Sequence, residues 1–237
     1  MHLFYAPEIL TLPFLPPDES LHAVKVLRLA AGSEIGILDG EGGFFRARIS
    51  FLNQKKCAVE IIECLPETGK RNYYLHIAIS PVKNIDRVEW FVEKAVEIGI
   101  DEITPVFCRF SERKNINTER LQKIVVSACK QSQKAKFPKI NPPVNFSDFI
   151  NQNTDTQKFI AHCYETEKRY LGDVLKVQEK TVIMIGPEGD FSEDEVKAAI
   201  DKGFAPVSLG ESRLRSETAG VFVAAIANHV NLLLAHR

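Results

Sequence analysis

Two short stretches near the C-terminus carry residue types that can do chemistry. One is Ile185-Gly186-Pro187-Glu188-Gly189-Asp190; the other runs from Leu209-Gly210 through Arg213, Leu214, Arg215 and Glu217 to Thr218 and Ala219. Each begins where a short apolar run, 181–185 or 205–209, reads as a buried strand, and each leads into a helical pattern. Glycine at a strand end frees the turn and lets backbone approach a ligand closely. Two such ends together form the natural floor of a crevice in an open α/β sheet. Arginine forks match phosphate oxygens and keep their charge, so Arg213 and Arg215 beside an acid point to a small-molecule site with an anionic partner nearby. The same residues also read as a solvated loop, with Glu217 and Thr218 in the first turn of a helix; their place beside a second glycine turn favours the site. Neither turn is a dinucleotide fingerprint or a Walker A loop. A nicotinamide-dependent oxidoreductase therefore rests on fold analogy alone.

The elements that must position these loops follow from the pattern of the chain. Residues 1–70 are β-rich, with strands over 33–38, 44–49 and 56–63, a glycine turn at 39–43, and a helix over 20–29 capped by Asp18 or Ser20. Short strands with glycine turns imply a small barrel. Residues 66–72 have linker composition and mark a domain boundary, dividing the chain into 1–70 and 71–237. Beyond it, strands over 74–79, 103–107, 158–161, 181–185 and 205–209 alternate with helices. The helices cover 86–98 (closed by Gly99 as a left-handed cap), 118–136, a stretch opened by the Ser192–Glu195 capping box and running to Lys202, and a last helix from about Ser216. This alternation implies a mainly parallel sheet covered on both faces.

Composition narrows the class. With 237 residues, 45% hydrophobic and 26% charged, the chain suits one large or two modest globular domains. Five scattered cysteines (Cys57, Cys64, Cys108, Cys129, Cys163) form no C-x-x-C pair. They imply reduced thiols in a cytoplasmic protein. No secretory signal opens the sequence, and the apolar stretch 219–235 is broken by Asn228, His229 and Asn231, so no membrane span is expected. His22, His76, His162, His229 and His236 stand apart from any nucleophile, and no metal site is expected. Net charge is −1, yet between Arg109 and Lys139 nine basic residues face two acidic ones, a local charge of +7. Such a stretch is the footprint of a phosphate backbone, the alternative being a solvated lysine-rich face.

At this point the residues resemble a known family. Gly186-Pro-Glu-Gly-x-Phe-Ser192, with Leu209-Gly-x-x-x-Leu214-Arg215-x-Glu217-Thr218-Ala219, is similar to the SPOUT class of S-adenosylmethionine methyltransferases. More closely, the chain resembles the RsmE family, which methylates N3 of a uridine in 16S ribosomal RNA. His22-x-x-x-Val26-Leu27-Arg28 followed by Gly32, then Lys83, Arg87, Lys94, Glu97, Gly99 and Gln131, extend the likeness over nearly the whole chain.

The resemblance implies an α/β fold: a PUA-like β-barrel followed by a domain with a C-terminal trefoil knot, assembled as a homodimer. It implies S-adenosyl-L-methionine as cofactor, in a pocket of three loops formed by His162, Ile185, Gly186, Glu188, Gly189, Leu209, Gly210, Leu214, Thr218 and Ala219. Arg215 and Glu217 would be catalytic. Arg215 would stabilise charge on the uracil oxygens or bind a nearby phosphate, and Glu217 would take the N3 proton or orient Arg215. His22, Arg28, Lys83, Arg87, Arg109, Gln131 and Lys134 would contact 16S rRNA in the small subunit. A non-catalytic ribosome-assembly factor on the same fold is the alternative. Two positions depart from the family pattern: Asp190 stands where a third glycine is usual, and Lys130 and Lys134 replace Glu and Arg around Gln131.

If the basic stretch meets phosphates, RNA affinity should fall by about 10³-fold or more between about 50 and about 200 mM salt. Filter binding across a salt series checks this, and a flat dependence would remove the assignment.

Overall fold

The computed structural model describes residues 1–66 and 71–235. Residues 67–70 of the expected linker, and His236, lie outside them. The chain forms two compact units, Met1–Lys70 with Val126–Phe137, and Arg71–Val125 with Pro138–Arg237.

The first unit is built on a four-stranded sheet in the order β1 (Leu3–Tyr5), β2 (Glu34–Leu38), β3 (Phe44–Phe51), β4 (Ala58–Leu65). β1 runs parallel to β2, and the other pairs are antiparallel. The β2–β3 turn is closed by the Asp39 carboxylate, which accepts from the backbone of Glu41 and Gly43. Residues 13–15 add to the free edge of β4, where Leu15 N donates to Cys57 O and Val59 N to Pro13 O. The first fifteen residues thus supply both outer members of the sheet, which wraps a core of Phe4, Ile9, Leu15, Ile35, Ile37 and Ile49. The helix expected over 20–29 starts earlier, as α1 (Pro17–Leu21), because proline pre-sets φ for a first turn. It continues as a π-helical turn over His22–Val26, where Leu27 N reaches back to His22 O. Neither Asp18 nor Ser20 caps it. Ser20 is buried and donates to Leu15 O while accepting from Cys57 N, so it ties the helix to the bridging segment.

The second unit runs β5 (Tyr74–Ile79), α2 (Ile85–Ile98), β6 (Glu102–Phe107), α3 (Thr118–Ser132), β7 (Lys139–Ile140), β8 (Val144–Asn145), α4 (Phe146–Gln152), β9 (Gln157–Ala161), β10 (Arg169–Tyr170), α5 (Leu171–Val174), β11 (Lys180–Ile185), α6 (Glu193–Asp201), β12 (Ala205–Ser208) and α7 (Ser216–Ala235). Its strands are all parallel, in the order β10-β12-β9-β11-β5-β6-β7, with β8 also pairing β6. α2 buries Val88, Phe91, Val92, Ala95 and Val96, the stripe its spacing predicts. Gly99 ends that helix at φ 135°, outside the left-handed helical region expected of it. The capping box of α6 is present in full, with Ser192 and Glu195 bonding each other's backbone. β12 lies beyond β9, whereas α7 packs on α2, β5 and β11. The chain after β12 therefore returns across the sheet ends. Among the described residues no helix is long and apolar enough to cross a membrane.

At the opposite end of the sheet a polar network fills the space that apolar side chains leave. Tyr74 donates to Glu102, Asn141 donates to both Glu102 and Thr104, and the buried His76 contacts Thr104 at 2.7 Å and Asp155 at 3.5 Å. Burial alone would raise the Glu102 pKa, but the hydrogen bonds from Tyr74 and Asn141 outweigh it and hold the carboxyl below its ordinary value. The hydrogen bond with His76 does the same for Asp155 against its burial. A folded pKa below the unfolded one stabilises the fold fully above the ordinary carboxylate range, about pH 4, and this is lost as pH falls through the folded value. Urea denaturation from about pH 7 to about pH 3 should show that fall. Glu102→Gln should flatten it while costing about 1–3 kcal/mol near neutrality; unchanged slopes would mean that the network carries no pH dependence.

Candidate functional site

The C-terminal ends of β9, β11 and β12 open into a cavity of about 760 Å³ in the second unit. Three segments line it, 161–164 after β9, 186–190 after β11 and 209–215 after β12, with the first turn of α7 as its inner wall. Ile185, Val207, Leu209, Leu214 and Ala219 give it an apolar body, and His162, Arg87 and Glu217 are polar groups on its wall. That size and mix suit a compact ligand with a few fixed polar contacts. Glycine at 186 relieves crowding within the turn: a Cβ there would sit 3.2 Å from both the Asp190 carbonyl carbon and the Phe191 ring, tighter than ordinary contact. Gly210 is needed for conformation, at φ 112°.

The loops are tied to one another. Ser216 is buried and donates to Gly186 O at 2.7 Å, joining the start of α7 to the β11 loop. The Glu188 carboxylate accepts from Lys83 N at 2.9 Å, and Arg113 donates to Val82 O and Lys83 O, so the 82–83 segment is held from two sides. The Asp190 carboxylate accepts from Cys163 N at 2.6 Å and from Phe191 N at 2.8 Å. Lys168 donates to His162 O and Tyr164 O.

Two side chains define the electrostatics. His162 is 7% exposed, and neither ring nitrogen has a hydrogen-bond partner. Burial, with nearby Lys168 adding to it, lowers its pKa against a smaller opposing pull from Asp190, so the ring is neutral at pH 7. Buried polar atoms left unpaired cost stability, and His162 is a residue of the cavity wall. Glu217 is also 7% exposed, and the cation beside it is Arg87, Nε to Oε1 3.6 Å. The helix dipole at the start of α7 favours its charge.

The structure gathers most of the residues picked from sequence. His162, Ile185, Gly186, Glu188, Gly189, Leu209, Gly210, Leu214, Arg215, Glu217 and Ala219 all line the one cavity. Thr218 does not: it points away, exposed on the first turn of α7. Arg87, expected on an RNA surface, lines the cavity instead. Arg215 and Arg213 are exposed at its rim. Of the remaining basic candidates, Lys83 and Arg109 are exposed on the second unit. Lys83 pairs with Glu112, and Arg109 approaches Asp194 at 3.7 Å. His22, Arg28, Gln131 and Lys134 belong to the first unit; Arg28 and Gln131 are exposed, and His22 is half-buried with its ring edge-on to Phe4. Several cations of the +7 stretch are engaged internally: Lys130 with Glu19, Arg120 with Glu89, and Arg113 with backbone carbonyls. Ser216, Asp190 and Arg113 were missed as loop anchors because their partners lie 27 or more residues away. Among the described residues no group of three His, Cys, Asp or Glu side chains is placed to hold a metal ion.

Comparison with known proteins decides the family. Residues 70–228 match the model of an RNA methyltransferase domain, and 15–62 that of an RNA methyltransferase PUA domain. A Rickettsia conorii protein named ribosomal RNA small subunit methyltransferase E is 30% identical over 229 residues, covering 94% of this chain and 90% of that one. The chain belongs to the ribosomal RNA small subunit methyltransferase E family. The structure of a "probable rRNA-methyltransferase" from Porphyromonas gingivalis is 40% identical with a TM-score of 0.93, covering 99% of this chain and all of that one. A Neisseria gonorrhoeae ribosomal RNA small subunit methyltransferase E bound to S-adenosyl methionine is 27% identical with a TM-score of 0.85, covering 95% of this chain and 96% of that one.

The Ser216 tie yields a direct test. Ser216→Ala should cost about 1 kcal/mol in thermal or urea unfolding. It should also raise amide exchange in residues 186–190; unchanged exchange there would show that the loop is held by other means.

Proposed function

We propose that this chain uses S-adenosyl-L-methionine to methylate N3 of a specific uridine in the 16S rRNA of the small ribosomal subunit. It works in the cytoplasm as a homodimer. Residues 1–70 serve as the RNA-holding PUA-like domain, and residues 71–237 as the SPOUT methyltransferase domain. The observation that carries this reading is the single cavity in which eleven sequence-selected residues converge on a wall bearing a buried, neutral and unpartnered His162. The residues fit such a cofactor: apolar surface from Ile185, Leu209 and Leu214, a tight glycine turn at Gly186, and polar side chains of Arg87, His162 and Glu217 on the same wall. When bound, the cofactor supplies an electrophilic methyl group.

The rest of the work falls to the protein. In-line attack needs the uracil ring fixed within reach of that methyl, which proximity rather than acid–base strength dominates. N3 must lose its proton, and charge develops on O2 and O4. Arg215, exposed at the rim, is placed to meet that charge or an adjacent phosphate. Glu217 is buried beside Arg87 in the same cavity wall, Nε to Oε1 3.6 Å. Its role is to take the N3 proton or to orient Arg87, which joins Arg215 as a second cation facing the substrate. Lys83 and Arg109 on the second unit, with His22, Arg28, Gln131 and Lys134 on the first, hold the RNA. A base must be unstacked before it is reached.

Small subunits lacking the modification, incubated with the protein and labelled cofactor, should gain one methyl that mass spectrometry maps to uracil N3. Arg215→Ala should lower turnover by about 10²-fold or more while cofactor affinity stays within a few-fold. Near-normal turnover would remove Arg215 from the chemistry, and cofactor binding with no methyl transfer to any RNA would favour the assembly-factor reading.

A further inference from the structure

Asp190 sits at φ 65°, a conformation that side chains other than glycine adopt at a cost. Both of its carboxylate oxygens are in use: Oδ2 accepts from Cys163 N at 2.6 Å, and Oδ1 from Phe191 N at 2.8 Å. The first of these bonds spans two of the three loops that wall the cavity, and it grips the residue next to His162. From its other side the same segment is gripped by Lys168, which donates to His162 O at 2.8 Å. Between these two anchors the His162 ring lies buried against the cavity with neither nitrogen paired. The strained backbone at 190 is thus matched to a cross-loop contact, and that contact fixes the segment that carries the His162 ring, neither of whose nitrogens is paired.

We propose that Asp190 is a positioning residue for ligand binding: its carboxylate staples the 186–190 loop to the 162–163 segment and so fixes the place of the His162 ring in the cavity wall against which the ligand packs. The inference rests on the cavity being the cofactor site, as proposed above. A hydrogen bond to an ionised acceptor is among the stronger protein contacts, and the staple offsets the conformational cost of its own backbone.

The test is calorimetric titration with S-adenosylhomocysteine, joined to thermal melting. Glycine accepts φ 65° without strain, so Asp190→Gly should melt at or near the parent temperature. Its affinity for S-adenosylhomocysteine should nevertheless fall by about tenfold, the equivalent of one such bond. Asp190→Asn keeps one oxygen able to accept from Cys163 N and should recover part of that loss. In a His162→Ala background, where there is no ring left to place, Asp190→Gly should cost less than about threefold; this coupling is the readout that a merely structural role would not produce. Parent-like affinity in Asp190→Gly would overturn the inference, as would full additivity with His162→Ala. Absence of binding by the parent protein would instead overturn the cofactor site itself, and this inference with it.

Discussion

β12 lies beyond β9 from β11, yet the helix that follows it packs on α2 and β5. Residues 209–215 must therefore run back across the open ends of two parallel strands, and the rest of the site depends on that crossing. It places a third loop over the two that leave β9 and β11, which closes a cavity where an ordinary open sheet offers only a crevice. The crossing is held by the Ser216–Gly186 hydrogen bond at its inner end. Gly220 lets it seat: a Cβ there would lie 2.5 Å from the Phe91 ring of α2. Small residues early in α7 thus serve close helix packing, and the same first turn carries Glu217 into the cavity wall.

Charge in this site is arranged by burial. Glu217 gains from the start of α7 and from Arg87, while His162 is kept neutral by its surroundings. The outer arginines remain in water, where they can meet a large polyanion. An apolar, loop-walled interior for a small cofactor and a cationic rim for RNA follow from one segment, 209–217, passing from solvent to core.

Much of this was legible in the sequence because it is local. The alternation of strands and helices beyond residue 71, the inward stripe of α2 and the capping box at Ser192 all depend on neighbours within one or two turns. The two glycine turns marked the cavity floor because a strand end, a glycine and a following helix are adjacent in the chain. What was not legible is long-range or too short to show a period. β7, β8 and β10 have two residues each, and α5 has four. Thr218 was grouped with the cavity from its motif, but one residue along a helix turns a side chain about 100° away from its neighbour. The +7 stretch overstated its free charge because Glu19 and Glu89, distant in sequence, neutralise two of its members. Local count cannot see such partners.

The central claim is that three loops at one end of the parallel sheet, closed by the returning chain, form the cofactor cavity. Hydrogen exchange with and without S-adenosylhomocysteine tests it most directly. Protection concentrated in residues 161–164, 186–190 and 209–216 is the predicted result. Protection elsewhere, with these three segments unchanged under saturating ligand, would contradict the account.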